Sequence, residues 1–277
     1  MRIHHMSCGS FCPVARRWVN GAGSVFERGH LCCHCLLIES NQGLILVDTG
    51  LGTADVEQPH LRLGRWFTTV AQPKLQLEDT ALHQVQALGF SPRDVRHIVL
   101  THGDLDHAGG LSDFPEAQVH IHTPEHHAMT HPEGMEKVRY RPLQLAHDPK
   151  WVLHAPDGDH WMGFDAVRAL DDAEPDVLIV PLEGHTRGHA AVAVRREEGW
   201  WLHAGDAYFY HGQLDTEHPH IPFGLGLFQR FADHDRPARM ANQERLRKLA
   251  FAKQGEVSVF CAHDPVELEA ARAQTST

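Results

Sequence analysis

Apolar positions in this chain fall in short, strand-length runs separated by polar turns, and several of the runs end on His or Asp. CCHCLLIES, from Cys32, is followed by the turn NQG and then LILVDTG, which predicts a β-hairpin ending on Asp48, Thr49 and Gly50. LEDTALHQVQALGF has apolar residues at helical spacing after an acidic start, with Gly89 near its end, and predicts a helix. SPRDVRHIVL predicts a helix and then a strand that delivers the turn THGDLDHAGG, Thr101 to Gly110. AQVHIHT predicts a strand, and TPEHHAMT opens a helix on its Thr-Pro pair. VLIVPLEGHTRGHAAVAV sets a loop with two histidines between two apolar runs, and WWLHAGDA predicts a strand ending on Asp206. RPARMANQERLRKLAFAKQ predicts a helix, and VSVFCAHDP a last strand ending on His263. This alternation is of the α/β class. Ligand-type residues at the ends of strands far apart in sequence imply one site along one edge of stacked sheets.

Three segments fit no regular period: about Leu51 to Leu77, His131 to Asp165, and Tyr208 to Asp235. They contain Trp66, Phe67, Tyr140, Trp161, Phe223 and Phe228. Long aromatic-rich loops either cover a site or contribute to the core. No Pro/Ser-rich linker or internal repeat divides the chain, so a single domain over residues 1–277 is expected.

Composition narrows the function classes. The 25 basic and 36 acidic residues give a formal charge of −11 with no compensating Lys/Arg block, which disfavours a nucleic-acid partner. No apolar stretch approaches the roughly 20 residues of a membrane span, and MRIHHMSCGSFCPVARR lacks the apolar core of a signal peptide. A cytoplasmic protein is expected. The six cysteines are Cys8, Cys12, Cys32, Cys33, Cys35 and Cys261. CCHC without intervening residues is poorly spaced to wrap one tetrahedral ion, so LCCHCLLI reads as a buried strand with Cys as a small apolar residue. Histidine is abundant, at 25 of 277 residues, so only histidines in a specific spacing carry weight.

That spacing occurs in THGDLDHAGG, where His102, Asp104, Asp106 and His107 share one turn. His102 and Asp104 can converge on one ion while Asp106 and His107 turn toward a second. Neutral nitrogen with anionic oxygen suits zinc, manganese or iron(II).

In this turn and four further motifs, VDTG (Val47 to Gly50), GHTRGHAAV (Gly184 to Val192), HAGDA (His203 to Ala207) and CAHD (Cys261 to Asp264), the chain resembles the metallo-β-lactamase-fold superfamily. The resemblance covers most of the chain in order and is closest to the lactonase-like hydrolases. It implies a four-layer αββα sandwich of two mixed β-sheets flanked by helices, with two divalent metal ions per chain. His102, Asp104 and His189 would hold one ion; Asp106, His107 and His263 would hold the other; Asp206 would bridge them. His185 is expected to be a structural neighbour of the ligand His189, and Asp48 to orient ligands by hydrogen bonding. The departure is Asp104, where the superfamily's hydrolases usually carry His (HxHxDH). A carboxylate there makes the first site more anionic and shifts it toward manganese or iron(II), with zinc still feasible. Flavodiiron proteins carry a similar HxExDH, but this chain has no room for their flavin domain.

Two ions about 3.5–4 Å apart share a water, lower its pKa and polarise a carbonyl. The expected function is therefore a dinuclear hydrolase acting through a metal-bridging hydroxide on a small carbonyl substrate, a lactone or ester first. No Ser nucleophile in a G-x-S-x-G elbow competes for the role. Asp106 is the candidate for steering the nucleophile or passing a proton, and Tyr208, with Tyr210, is a candidate oxyanion donor. One alternative is a mononuclear iron oxygenase built on His102, Asp104 and His189; another is a non-catalytic binding protein on an enzyme fold. The expected partner is a small molecule, with pairing into a homodimer possible.

Overall fold

The computed structural model describes residues 2–275. Among the described residues thirteen strands are formed: β1 Ile3–Phe11, β2 Leu31–Ser40, β3 Gly43–Val47, β4 Val95–Val99, β5 Gln118–His122, β6 Lys150–His154, β7 His160–Trp161, β8 Phe164–Asp165, β9 Val167–Arg168, β10 Val177–Pro181, β11 Ala190–Arg195, β12 Trp200–His203 and β13 Val257–Phe260. The first sheet runs β1-β2-β3-β4-β5-β6, antiparallel through β3 and parallel from β3 onward. The second runs β13-β12-β11-β10-β9 and is antiparallel except for β12 against β13. Both sheets are mixed, and β7 and β8 form a separate small hairpin.

Because side chains alternate across a strand, both faces of these apolar runs must be covered. On β2 and β3, Leu36, Ile38, Ile45 and Val47 face the second sheet, where they meet Ile179, Val192, Val194, Trp201 and Phe260. Their sequence neighbours Cys35, Leu37, Leu44 and Leu46 face outward onto Ala81 and Val85 of the helix Ala81–Ala87 and Ala128 and Met129 of the helix Thr123–Thr130. The outer face of the second sheet, with Val180, Ala191, Ala193 and Leu202, packs on Leu246 and Leu249 of the helix Arg236–Ala252. The result is helix, sheet, sheet, helix. Each fully buried Leu, Ile or Val in these layers contributes about 1.5–3 kcal/mol. No helix among the described residues is long and apolar enough to cross a membrane.

The pattern missed three things. IHHMSCGSF forms β1, whose pairing to β2 shifts between Ser7 and Ser10; this irregularity and its histidines hide the strand period. SPRD forms only a 3-10 turn, Pro92–Asp94. The aperiodic segments contain regular elements of their own: short helices at Thr53–Glu57, Pro59–Arg62, Arg65–Val70 and Glu136–Arg139, strand β6, and the ten-residue helix Phe223–Ala232.

Candidate metal centre

The site lies where β3, β4, β12 and β13 end. Asp48, just past β3, has a left-handed backbone (φ 56°) and is buried. Its carboxylate accepts from the Thr101 backbone N–H (2.8 Å) and the Thr101 hydroxyl (2.7 Å), and lies 2.8 Å from His107 Nδ1. That contact fixes the His107 tautomer and leaves Nε2 to face the site. Burial opposes a charge on Asp48, but His107 outweighs it and holds the carboxyl below its ordinary range.

Asp206 occupies the centre. One of its oxygens, Oδ2, lies 3.7 Å from His102 Nε2 and 3.4 Å from His185 Nε2; the other, Oδ1, lies 3.4 Å from His107 Nε2 and 3.2 Å from His263 Nε2. Asp104 Oδ2 completes the first group, 3.4 Å from His102 and 3.1 Å from His185. Asp106 Oδ2 completes the second, 3.4 Å from His263 Nε2 and 4.0 Å from His107 Nε2. His263 Nδ1 is spent on the Cys32 carbonyl at 2.7 Å, so its Nε2 is committed to the site.

The donor set fits a pair of divalent ions. His102 Nε2, His107 Nε2 and Asp206 Oδ1 are buried without a hydrogen-bond partner, and buried polar atoms are rarely left so. Ligand atoms of His102, Asp104, His185 and Asp206 lie within 4.8 Å of one another, as do those of His107, Asp206 and His263. Burial opposes a charge on Asp206, yet His263 and His107 hold its carboxyl well below the usual range. His107 is raised well above an ordinary imidazole by Asp206, Asp48 and Asp106 against the cost of burial. Carboxylates crowded in this way require positive charge.

Six of the seven expected ligands, His102, Asp104, Asp106, His107, Asp206 and His263, come together here, and one does not. His189 has both ring nitrogens engaged, Nδ1 with the Leu182 carbonyl at 3.0 Å and Nε2 with the Asp206 backbone N–H at 2.9 Å. It positions the chain at Asp206, and His185 takes the place expected of His189. The loop shape decides between them. Gly184 has φ 136°, and a Cβ there would sit 2.3 Å from the Arg239 nitrogen; a Cβ on Gly188 would sit 2.0 Å from the Glu125 nitrogen. The buried Glu125 then ties the two ligand loops together, accepting from the Gly103 N–H (2.8 Å), the Thr186 hydroxyl (2.6 Å) and the Gly188 N–H (3.0 Å).

Tyr208 is also displaced from its expected role. Its hydroxyl donates to Glu267 at 2.9 Å, and its ring packs in the outer core with Leu246 and Cys261. Burial and Glu267 raise its pKa well above that of a free phenol. It is not placed as an oxyanion donor.

Arg139 explains how Asp104 is tolerated. Its Nε lies 3.1 Å from Asp104 Oδ1, the oxygen turned away from the histidines, and its Nη1 donates to the His185 carbonyl at 2.8 Å. Burial would raise the Asp104 carboxyl, but Arg139 and then His102 hold it well below its ordinary range. Arg139 also donates to the Ala232 carbonyl, at the end of the helix Phe223–Ala232. Phe228 of that helix lies 6.0 Å from Phe209 with the rings tilted, and the Phe209 ring lies 5.7 Å from His185 and 5.4 Å from His263. Trp66 meets Phe231 of the same helix at 6.0 Å. The three segments without a clear period therefore converge around the centre. Arg139 and Glu125 carry no local signal in the sequence that points to these roles.

Residues 29–261 match the model of the metallo-beta-lactamase superfamily. A probable metallo-hydrolase of Mycobacterium tuberculosis is 41% identical over 273 residues, covering 98% of this chain and 83% of the relative. An N-acyl homoserine lactonase from a Bacillus species is 25% identical over 254 residues, covering 91% of this chain and 89% of its own length. Among solved structures, an N-acyl homoserine lactone hydrolase with N-hexanoyl-L-homoserine at its catalytic metal centre superposes with a TM-score of 0.70 at 23% identity, over 97% of this chain and 95% of that one. A dizinc quorum-quenching lactonase superposes with a TM-score of 0.60 at 18% identity, over 95% and 87%. At these identities the structural likeness speaks for the fold.

Proposed function

Because the chain belongs to the metallo-β-lactamase superfamily and is a metallo-hydrolase, we propose that it is a dinuclear enzyme acting on a small, partly apolar carbonyl substrate, a lactone or ester. The observation that carries this reading is Asp206, with one oxygen turned to His102 and His185 and the other to His107 and His263. His102, Asp104, His185 and Asp206 would hold one ion, and Asp106, His107, His263 and Asp206 the other. Two divalent ions so held supply an activated water nucleophile and a Lewis acid for the carbonyl.

The chain's own residues do the rest. Asp48 and Thr101 fix the His107 ring, His189 holds the Asp206 backbone, and Glu125 locks the His102 and His185 loops to each other. Such supporting contacts set ligand orientation and basicity. Asp106, at the edge of the cluster with its side chain 11% exposed, would take a proton from the attacking water and return it to the leaving alkoxide. The aromatic helix Phe223–Ala232 beside the centre and the net charge of −11 both favour an apolar, uncharged substrate over a phosphorylated one.

The reading is tested with a panel of lactones and carboxylic esters of graded acyl length. Hydrolysis lost on chelation and restored by zinc or manganese is expected. A panel without turnover in fully metal-loaded protein would overturn the lactone or ester assignment.

A further inference from the structure

We propose that Cys33 supplies a thiolate ligand to the second metal position, making that position sulfur-containing and selective for a thiophilic ion such as zinc. The proposal rests on the dinuclear reading and adds a residue to it. A side-chain carboxylate oxygen of Asp106, a ring nitrogen of His263 and the Cys33 sulfur lie within 4.8 Å of one another, all three buried. His263 is shared with the group formed by His107 and Asp206. The thiol therefore lies beside Asp106 and His263, two of the residues that would hold the second ion, and His263 also faces the unpartnered, buried Asp206 Oδ1.

The strand geometry explains why Cys33 is the cysteine concerned. Cys32 turns its thiol to the Ala262 carbonyl (3.5 Å) while its own carbonyl accepts from His263 Nδ1. Alternation along β2 then sends Cys33 to the opposite side, into the small cluster of Phe11, Leu51 and Leu105 that borders Asp106. The same hydrogen bond that aims His263 thus fixes the register of the thiol beside it. Cys35, two residues on, lies in the apolar core with Leu37. Chemically, the two positions diverge. The first offers two imidazoles and two carboxylates; the second offers two imidazoles, two carboxylates and a sulfur. Sulfur donors favour zinc and cobalt(II), while the oxygen-rich first position admits manganese or iron(II). Binding of the ion releases the Cys33 proton to solvent.

The test uses the full chain loaded with cobalt(II), with ions per chain counted by mass spectrometry. A sulfur-to-cobalt charge-transfer absorption in the near ultraviolet is expected in the native protein and in a Cys12→Ser control. Cys33→Ser should lose it. Zinc affinity at that position should fall in Cys33→Ser by at least the roughly 10–100-fold that loss of an outer partner costs. Two cobalt ions per chain without the band in the native protein would overturn the Cys33 assignment and leave the dinuclear reading standing. The band with a single ion per chain would do the reverse, and neither band nor second ion would sink both. Loss of the band in Cys33→Ser assigns it to Cys33 among the six cysteines, its retention there would overturn the assignment, and Cys33→Ala makes the same comparison should the serine variant fail to fold.

Discussion

Two groups of histidines in this chain lie close together and behave in opposite ways. His97, His120 and His154, on the neighbouring strands β4, β5 and β6, satisfy one another: His97 Nδ1 lies 3.0 Å from His120 Nε2, and His120 Nδ1 lies 3.0 Å from His154 Nε2. Burial pushes His120 down to about 3 and lowers the other two, so the row is neutral and directional. At the metal centre, His102 and His107 each leave Nε2 unpartnered in a ring of carboxylates. A missing partner is not sufficient on its own. His5 Nε2 and His34 Nδ1 are unpartnered as well, but their rings pack among Trp201 and Phe260 and not among carboxylates. In a chain with 25 histidines, the mark of a ligand is a buried ring nitrogen turned to carboxylate oxygen, as at His102, His107, His185 and His263.

The largest effect is expected from removing the shared carboxylate. Asp206→Ala should empty both positions and lower hydrolysis by about 10³-fold or more, since nucleophile activation and carbonyl polarisation go together; metal analysis and turnover on the same preparation check it. Next comes the pair in GHTRGH. His185→Ala should reduce the content from two ions to one, whereas His189→Gln should retain both with affinity weakened by about 10-fold. Equilibrium dialysis of the two variants distinguishes them, and the reverse order would restore His189 as the ligand.

A smaller effect is expected from the supporting contacts. Asp48→Asn and Arg139→Gln should each cost about 10–100-fold in metal affinity, the first at the position held by His107 and the second at the position held by Asp104. The smallest effect belongs to the other histidine row. A histidine whose pKa is depressed on folding contributes stability that is present above the ordinary value of 6.5 and is lost as pH falls toward about 3. His120→Gln should therefore bind metal normally but show a shallower loss of thermal stability between pH 6.5 and pH 4. The difference between the two melting curves against pH reports this histidine.

The strand-end motifs were legible in the sequence because each follows an apolar run whose period fixes where it ends. THGDLDH, HAGDA and CAHD delivered His102, Asp104, Asp106, His107, Asp206 and His263 to one edge. GHTRGH was not legible to the same degree. Two histidines four residues apart on a loop are equivalent by spacing, and what separates them is contact with Leu182, Asp206, Arg239 and Glu125 from elsewhere in the fold. Tyr208 follows Asp206 closely in sequence, but Glu267 on the helix Pro265–Thr275 draws its hydroxyl away. The reading of CCHC as a buried apolar strand holds for Cys32, Cys33 and Cys35, and nothing in the spacing shows that Cys33 also lies beside Asp106 and His263. Arg139 lay in a segment without period, and nothing local ties it to Asp104 across the fold.

The decisive measurement is a crystal structure of protein purified without chelator, with anomalous maps recorded at the zinc, iron and manganese edges. A dinuclear centre predicts two peaks on either side of Asp206, one against His102, Asp104 and His185 and the other against Asp106, His107 and His263. A single peak, or a peak coordinated by His189 with His185 turned away, would contradict it.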